Sequence, residues 1–147
     1  MSVESAPREM VKAIAVGDSS RAQELNRSMP NDERGDFYNL LAAFFALMLE
    51  QRFADDASHE AIRTFVEEIR YDYRDADPPI KPLIFEGALR AACGEEHLLT
   101  DISQKDLDFV QHLVIRKVAL QSDQVIPKIN AFLDEAQQLV AEWRSDS

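Results

Sequence analysis

One apolar stretch constrains this chain more than any other feature. Residues 37–49 read FYNLLAAFFALML, in which Asn39 is the single polar residue. The stretch is long for a β-strand, and its alanine and leucine content favours a helix. Such a helix measures about 20 Å, which is short of the roughly 30 Å apolar layer of a bilayer. Because a helix that is apolar on every side must be buried on every side, the sequence predicts a buried central helix over about residues 32–53.

The length and the cysteine content bound the architecture. A chain of 147 residues fits one domain whose core needs neither disulfides nor a structural metal. Cys93 is the single cysteine, which excludes an internal disulfide, and no apolar secretory segment opens the sequence. We therefore expect a cytoplasmic, all-α, single-domain bundle of six to eight helices over residues 1–147, with residues 1–7 frayed.

The charge disfavours two classes of partner. A net charge of -11 argues against binding nucleic acid through its phosphates, which requires a basic patch. It equally disfavours anionic membrane surfaces. Acidity is compatible with a basic protein partner, although it often serves solubility alone.

Apolar residues recur at helical spacing along the rest of the chain. The pattern predicts helices over about residues 8–16, 20–29, 59–73, 80–93 and 103–121, and one helical turn within 95–102. Ser20 and Ser103 are the predicted N-caps of two of these helices, and Gly17 and Gly94 are predicted C-terminal stops. In the helix over 103–121, Phe109, Leu113 and Leu120 are expected to widen the buried stripe.

The C-terminal segment, about residues 123–144, carries apolar residues alternately four and three apart, which is the 3.5-residue period of a coiled-coil seam. Two explanations are open: the seam packs along the bundle, or it pairs with a second copy to form a homodimer. Pro127 also leaves open whether residues 103–144 form two helices or one kinked helix. The seam residues that we consider for partner binding are Val125, Ile129, Phe132, Leu139 and Trp143.

A second candidate surface for partner binding follows the predicted helix over 59–73. Its tyrosines and arginine alternate with aspartates, and tyrosine and arginine are enriched where proteins bind partners. Such an acidic segment suits a basic peptide, although a solvated turn has the same composition. The residues singled out are Tyr71, Tyr73, Arg74, Asp75 and Asp77.

The sequence carries no strong signature of catalysis. Glycine-rich phosphate loops and the His-Glu-x-x-His motif are missing, so we predict no cofactor, no metal and no catalytic residue. Asp108, His112 and Arg116 do align on one face of a predicted helix. A carboxylate beside a histidine can orient a general base, but the same row is typical of a water-facing surface.

Three functional hypotheses follow. The first is a non-enzymatic protein-interaction or regulatory module, with a possible homodimer through the C-terminal helix. The second is an acidic inhibitor, such as an immunity protein or a nucleic-acid mimic. The third is a small-molecule binder, for which the central helix suggests a ligand pocket beside Phe44, Phe45 and Met48.

Overall fold

A computed structural model describes residues 5–146. Within that range the chain forms seven α-helices and one short 3₁₀-helix, and no strand. The α-helices are α1 (Ala6–Val16), α2 (Ser19–Ser28), α3 (Asn31–Phe53), α4 (His59–Asp72), α5 (Pro82–Ala92), α6 (Gln104–Gln121) and α7 (Ile129–Ser145), and the 3₁₀-helix is Glu96–Asp101. The predicted all-α bundle around one helix is confirmed.

Helix α3 is the centre of the structure. It packs most extensively against α1, α6 and α7 and touches α5 more lightly. Leu41, Phe44 and Met48 have no exposed surface. Its least buried stripe within the apolar stretch is Tyr38, Ala42 and Ala46. Two of these three are alanines, so little apolar surface is left in water.

The hairpin of α1 and α2 turns at Gly17, which has φ of 78° and closes α1 with hydrogen bonds to the carbonyls of Ala13 and Ile14. A residue with a Cβ is strained in this left-handed conformation. The predicted N-cap Ser20 is wrong, because α2 begins directly after the turn and Asp18 accepts a hydrogen bond from the Arg21 amide at 3.1 Å. Helix α1 begins at Ala6, inside the segment predicted to be frayed, and residues 1–4 lie outside the described residues.

Helices α6 and α7 are separate. Ser103 caps α6 as predicted, and its hydroxyl accepts from the Asp106 amide at 3.1 Å. The predicted start of the last helix near residue 123 is wrong, because α7 begins at Ile129, two residues after Pro127. Proline has no amide hydrogen and disfavours helical backbone in the residue before it, so the chain turns before α7 starts.

Two ion pairs fasten α7 to the bundle at its two ends. Arg8 Nη1 lies 2.7 Å from Asp134 Oδ1, which joins α1 to α7. Arg144 Nη2 lies 2.9 Å from Asp36 Oδ1, which joins α7 to α3. Exposed pairs of this kind add little free energy, so the apolar face of α7 supplies most of its packing energy.

The hairpin of α4 and α5 is joined by a charge cluster around Glu95. Its carboxylate accepts two hydrogen bonds from Arg90, at 2.8 and 2.9 Å, and lies 2.9 Å from His59 Nε2. The Arg90 hydrogen bonds, with those of His59 adding to them, lower the pKa of Glu95 from its ordinary 4.5 to about 2. The cluster connects the start of α4 to the end of α5.

The packing of α3 predicts a large loss of stability on truncation of Phe44. We expect Phe44→Ala to lower the free energy of unfolding by about 3–5 kcal/mol, because it removes a buried ring and leaves a cavity. Tyr38→Ala is the matched control on the same helix, since Tyr38 is half exposed. Urea unfolding followed by circular dichroism measures both, and equal losses would contradict a buried centre at Phe44.

The Glu95 cluster predicts an acid dependence. A carboxylate whose pKa is lower when folded stabilises the fold above its unfolded pKa, and that contribution disappears as the pH falls towards the folded value. Between pH 4.5 and about 2, the wild type should therefore lose more stability than Glu95→Gln. The midpoints of urea unfolding across this pH range measure the loss of stability. Glu96→Gln is the control, because Glu96 is the exposed residue next to Glu95. Parallel curves for wild type and Glu95→Gln would contradict the prediction.

Candidate functional site

The residues predicted to line a ligand pocket on the central helix lie in the hydrophobic core. Phe44 and Met48 have no exposed surface and Phe45 is buried, so all three belong to the hydrophobic core. The cavities described below are lined by other residues. Helices α1, α6 and α7 pack against α3, and a pocket beside these rings stays a prediction.

The C-terminal seam faces the bundle. Val125 and Ile129 are buried, and Phe132 and Leu139 are partly buried against the core. Trp143 is the exception, with 43% of its surface exposed. Of the two explanations for the seam, packing along the bundle describes its first four residues, and pairing with a second copy stays a prediction.

The predicted acidic surface is divided into two. Tyr71 is exposed, and Arg74 stacks on its ring at 4.5 Å. Tyr73 is partly buried against the core and lines a pocket between α1, α2 and α6. Since the two tyrosines face different cavities, the segment cannot act as one continuous surface. Asp75 and Asp77 are exposed in the loop that follows.

Tyr71 borders a shallow depression on α4. Four carboxylates line it together with Arg63 and Lys117, and Lys117 Nζ lies 2.6 Å from Asp72 Oδ2 and 3.6 Å from Glu68 Oε1. The two cations offset half of the negative charge. An acidic site for a basic peptide is therefore weaker here than the sequence alone indicates.

A better-formed cavity lies between the start of α5 and the first half of α6. We name it the α5–α6 cleft; its volume is about 690 Å³. Its floor and walls are largely apolar, and polar side chains stand around them. The apolar residues are Pro78, Pro79, Ile84, Phe85 and Phe109, and the polar ones are Lys81, Ser103, Lys105, Asp106, Asp108 and His112.

Phe109 marks this cleft as unusual. It is 44% exposed, and its ring meets the buried Phe85 ring edge-on, with centroids 6.0 Å apart and planes at 86°. The expectation of a wider buried stripe on α6 holds for Leu113, which packs partly buried against the core, and is wrong for Phe109 and for Leu120, which is 60% exposed. Helix α6 has more apolar residues than its neighbours can cover. The distribution of apolar residues around α6 could have shown that the helix has more of them than one face can bury. It could not have shown which of them stays exposed.

The row of Asp108, His112 and Arg116 is not a catalytic dyad or triad. His112 Nδ1 donates to the backbone carbonyl of Asp108 at 2.7 Å, and the Asp108 carboxylate instead accepts from Gln104 Nε2 at 2.9 Å. Because a carbonyl oxygen can only accept, Nδ1 carries a hydrogen and Nε2 is the nitrogen left to meet a ligand. His112 lines both the α5–α6 cleft and the pocket that contains Tyr73.

Other reactive groups give no centre either. Within residues 5–146, no three histidine, cysteine or acidic side chains come together as metal ligands. Cys93 is exposed. Partial desolvation and the nearby Glu95 carboxylate raise the pKa of this thiol, so little reactive thiolate forms near neutral pH.

The packing of α7 predicts the behaviour of two aspartate substitutions. Phe132→Asp should lower the free energy of unfolding by about 2–4 kcal/mol, because it places a charge against the core. Trp143→Asp, at the exposed end of the same helix, should change it little. Light scattering and urea unfolding check both. A dimeric wild type that Phe132→Asp converts into a stable, folded monomer would contradict the internal packing.

Comparisons with known proteins add no family. No protein-family model, curated protein or solved structure matches this chain. No helix within residues 5–146 combines the length and apolar content that crossing a bilayer requires. The candidate site therefore stands on its geometry, in which the α5–α6 cleft is the principal feature.

Proposed function

We propose that this protein is a non-enzymatic protein-interaction module that holds apolar side chains of a partner segment in the α5–α6 cleft. The observation that carries the proposal is the exposed Phe109 ring at the cleft, braced edge-on by the buried Phe85. A rigid aromatic side chain offers a large contact area at a small entropic cost. Such residues supply much of the binding energy at protein interfaces.

The size and lining of the cleft support this use. A volume of about 690 Å³ admits one or two large side chains of a partner. Interfaces bind through an apolar centre surrounded by polar groups, and the cleft has that arrangement. Apolar residues form its walls, while Lys81 Nζ and Asp106 Oδ1, 3.8 Å apart, stand among its polar residues.

The charge of the whole chain favours a basic partner. The polar residues of the cleft include two lysines and two aspartates, so they add little net charge of their own. The chain nevertheless carries a net charge of -11, and a field of that sign speeds the approach of a basic segment. We therefore infer a partner segment that combines large apolar side chains with positive charge.

A small apolar molecule is the second candidate for the same cleft. Its volume falls within the roughly 300–1,000 Å³ typical of small-ligand sites. A small ligand would need the Phe109 ring just as a peptide does. The salt dependence separates the two, because an uncharged ligand lacks the long-range attraction that a basic peptide has.

The experiment selects a random-peptide library on the wild type and then measures the affinity of the selected peptide for two variants. Phe109→Ala should weaken binding at least about ten-fold, since it removes the exposed ring from the cleft. Leu120→Ala is the matched control, because Leu120 is an exposed apolar residue of the same helix outside the cleft. The affinity of the wild type should fall as sodium chloride is raised.

Two outcomes would contradict the proposal. In one, the library yields no peptide that binds the folded wild type. In the other, the selected peptide binds Phe109→Ala as tightly as it binds the wild type. Titration of a neutral hydrophobic dye that fills the cleft would then show whether it takes small molecules instead.

A further inference from the structure

A second pocket lies on the other side of His112, between α1, α2 and α6, with a volume of about 450 Å³. Its apolar wall includes Met10, Ile14 and Leu113. Its polar lining includes Gln23, Tyr73 and Arg116. The sequence singled out Tyr73 and the row on α6 separately, and the fold brings Tyr73 into one pocket with two members of that row, His112 and Arg116.

Arg116 is the feature of this pocket that needs an explanation. Among residues 5–146, its guanidinium makes no ion pair and no hydrogen bond. Its Nη1 is buried and without a partner. A buried, charged donor left without an acceptor costs free energy, and it is left so in a chain with 27 acidic residues.

The backbone is shaped around this side chain. A Cβ placed on Gly17 would lie 2.2 Å from Arg116 Cζ and 2.4 Å from its Nε and Nη2. The guanidinium therefore lies directly over the turn that ends α1, where the φ of 78° favours glycine. The missing Cβ leaves the space that the guanidinium occupies beside the pocket.

We propose that this pocket binds a small molecule that carries a carboxylate or phosphate group on a compact apolar body. The guanidinium of Arg116 supplies charge-assisted donors for the oxyanion, a role for which its planar fork is well suited. Met10, Ile14 and Leu113 contact the apolar body. This site is distinct from the α5–α6 cleft, so it does not depend on the function proposed for that cleft.

A structural role for Arg116 is the competing explanation. A cation near the end of α1 is favoured by the helix dipole, and that interaction would require no ligand. It predicts a change in stability when Arg116 is replaced but no dependence on added anions. Ligand binding is therefore the measurement that separates the two roles.

The experiment titrates the full-length protein with hexanoate, hexyl phosphate and the neutral analogue hexanamide, followed by methyl resonances in NMR spectra. We expect at least one of the two anions to bind saturably and to shift the methyl groups of Met10, Ile14 and Leu113. Hexanamide should bind roughly ten-fold or more weakly, because it lacks the charge-assisted hydrogen bonds. The anion that binds more tightly identifies the head group.

Variants then test whether Arg116 is the residue that binds the anion. Arg116→Met should weaken anion binding by roughly ten- to a hundred-fold, and Arg116→Lys should retain part of it. Arg27→Met is the control, since it removes an exposed arginine of α2 that does not line the pocket. The comparison of anion with amide on the wild type needs no variant, so it stays decisive even where Arg116→Met fails to fold.

Three results would overturn the proposal. The first is that neither anion binds saturably, and the second is that hexanamide binds as tightly as hexanoate. The third is that Arg116→Met, once shown to be folded by circular dichroism, binds the anions as the wild type does. Shifts confined to residues of the α5–α6 cleft would also count against this pocket, without affecting the function proposed for the cleft.

Discussion

Burial of α3 on nearly every side is the constraint on which the rest of the structure depends. One helix packed against α3 covers only part of its circumference, so α1, α6 and α7 must all lie against it. Each of those helices needs one apolar face directed towards α3 and one polar face directed towards water. The patterns of the other helices follow from this requirement.

The same constraint explains why α6 has uncovered apolar surface. One face of α6 packs on α3, and α1, α4 and α5 reach other parts of it. Phe109, in the first half of α6, is not fully covered by these helices and stays exposed. Short helices such as α5 and α2 cannot extend along the whole of an 18-residue neighbour, and cavities form where they end.

His112 lies between the two cavities of α6. Its ring is oriented by a backbone carbonyl rather than by a carboxylate. His112 therefore lines both cavities without the carboxylate partner that would orient it as a general base. The α5–α6 cleft offers an aromatic surface, whereas the pocket beyond His112 offers a cation without a partner. The two spaces therefore suit different chemistry, although they share one helix.

The sequence by itself determined the all-α class, the position of the central helix and the cap at Ser103. These features depend on residues close together in the chain: thirteen nearly uninterrupted apolar positions for α3, and a serine three residues before the amide that it caps. Local backbone sterics and helical periodicity are sufficient to predict such features. Pro127 likewise indicated a disruption, although not the exact start of α7.

Only the tertiary structure decided which apolar side chains stay in water and which charged groups meet. Phe109 and Phe132 look equivalent in a helical pattern, yet Phe109 is left exposed while Phe132 packs against the core. Tyr71 and Tyr73 are two residues apart in the sequence and line different cavities. Gly17 and Arg116 lie far apart in the sequence, yet the guanidinium of Arg116 lies against Gly17. Contacts between distant segments depend on how the helices cross and where they end, and periodicity within one helix carries no information about that.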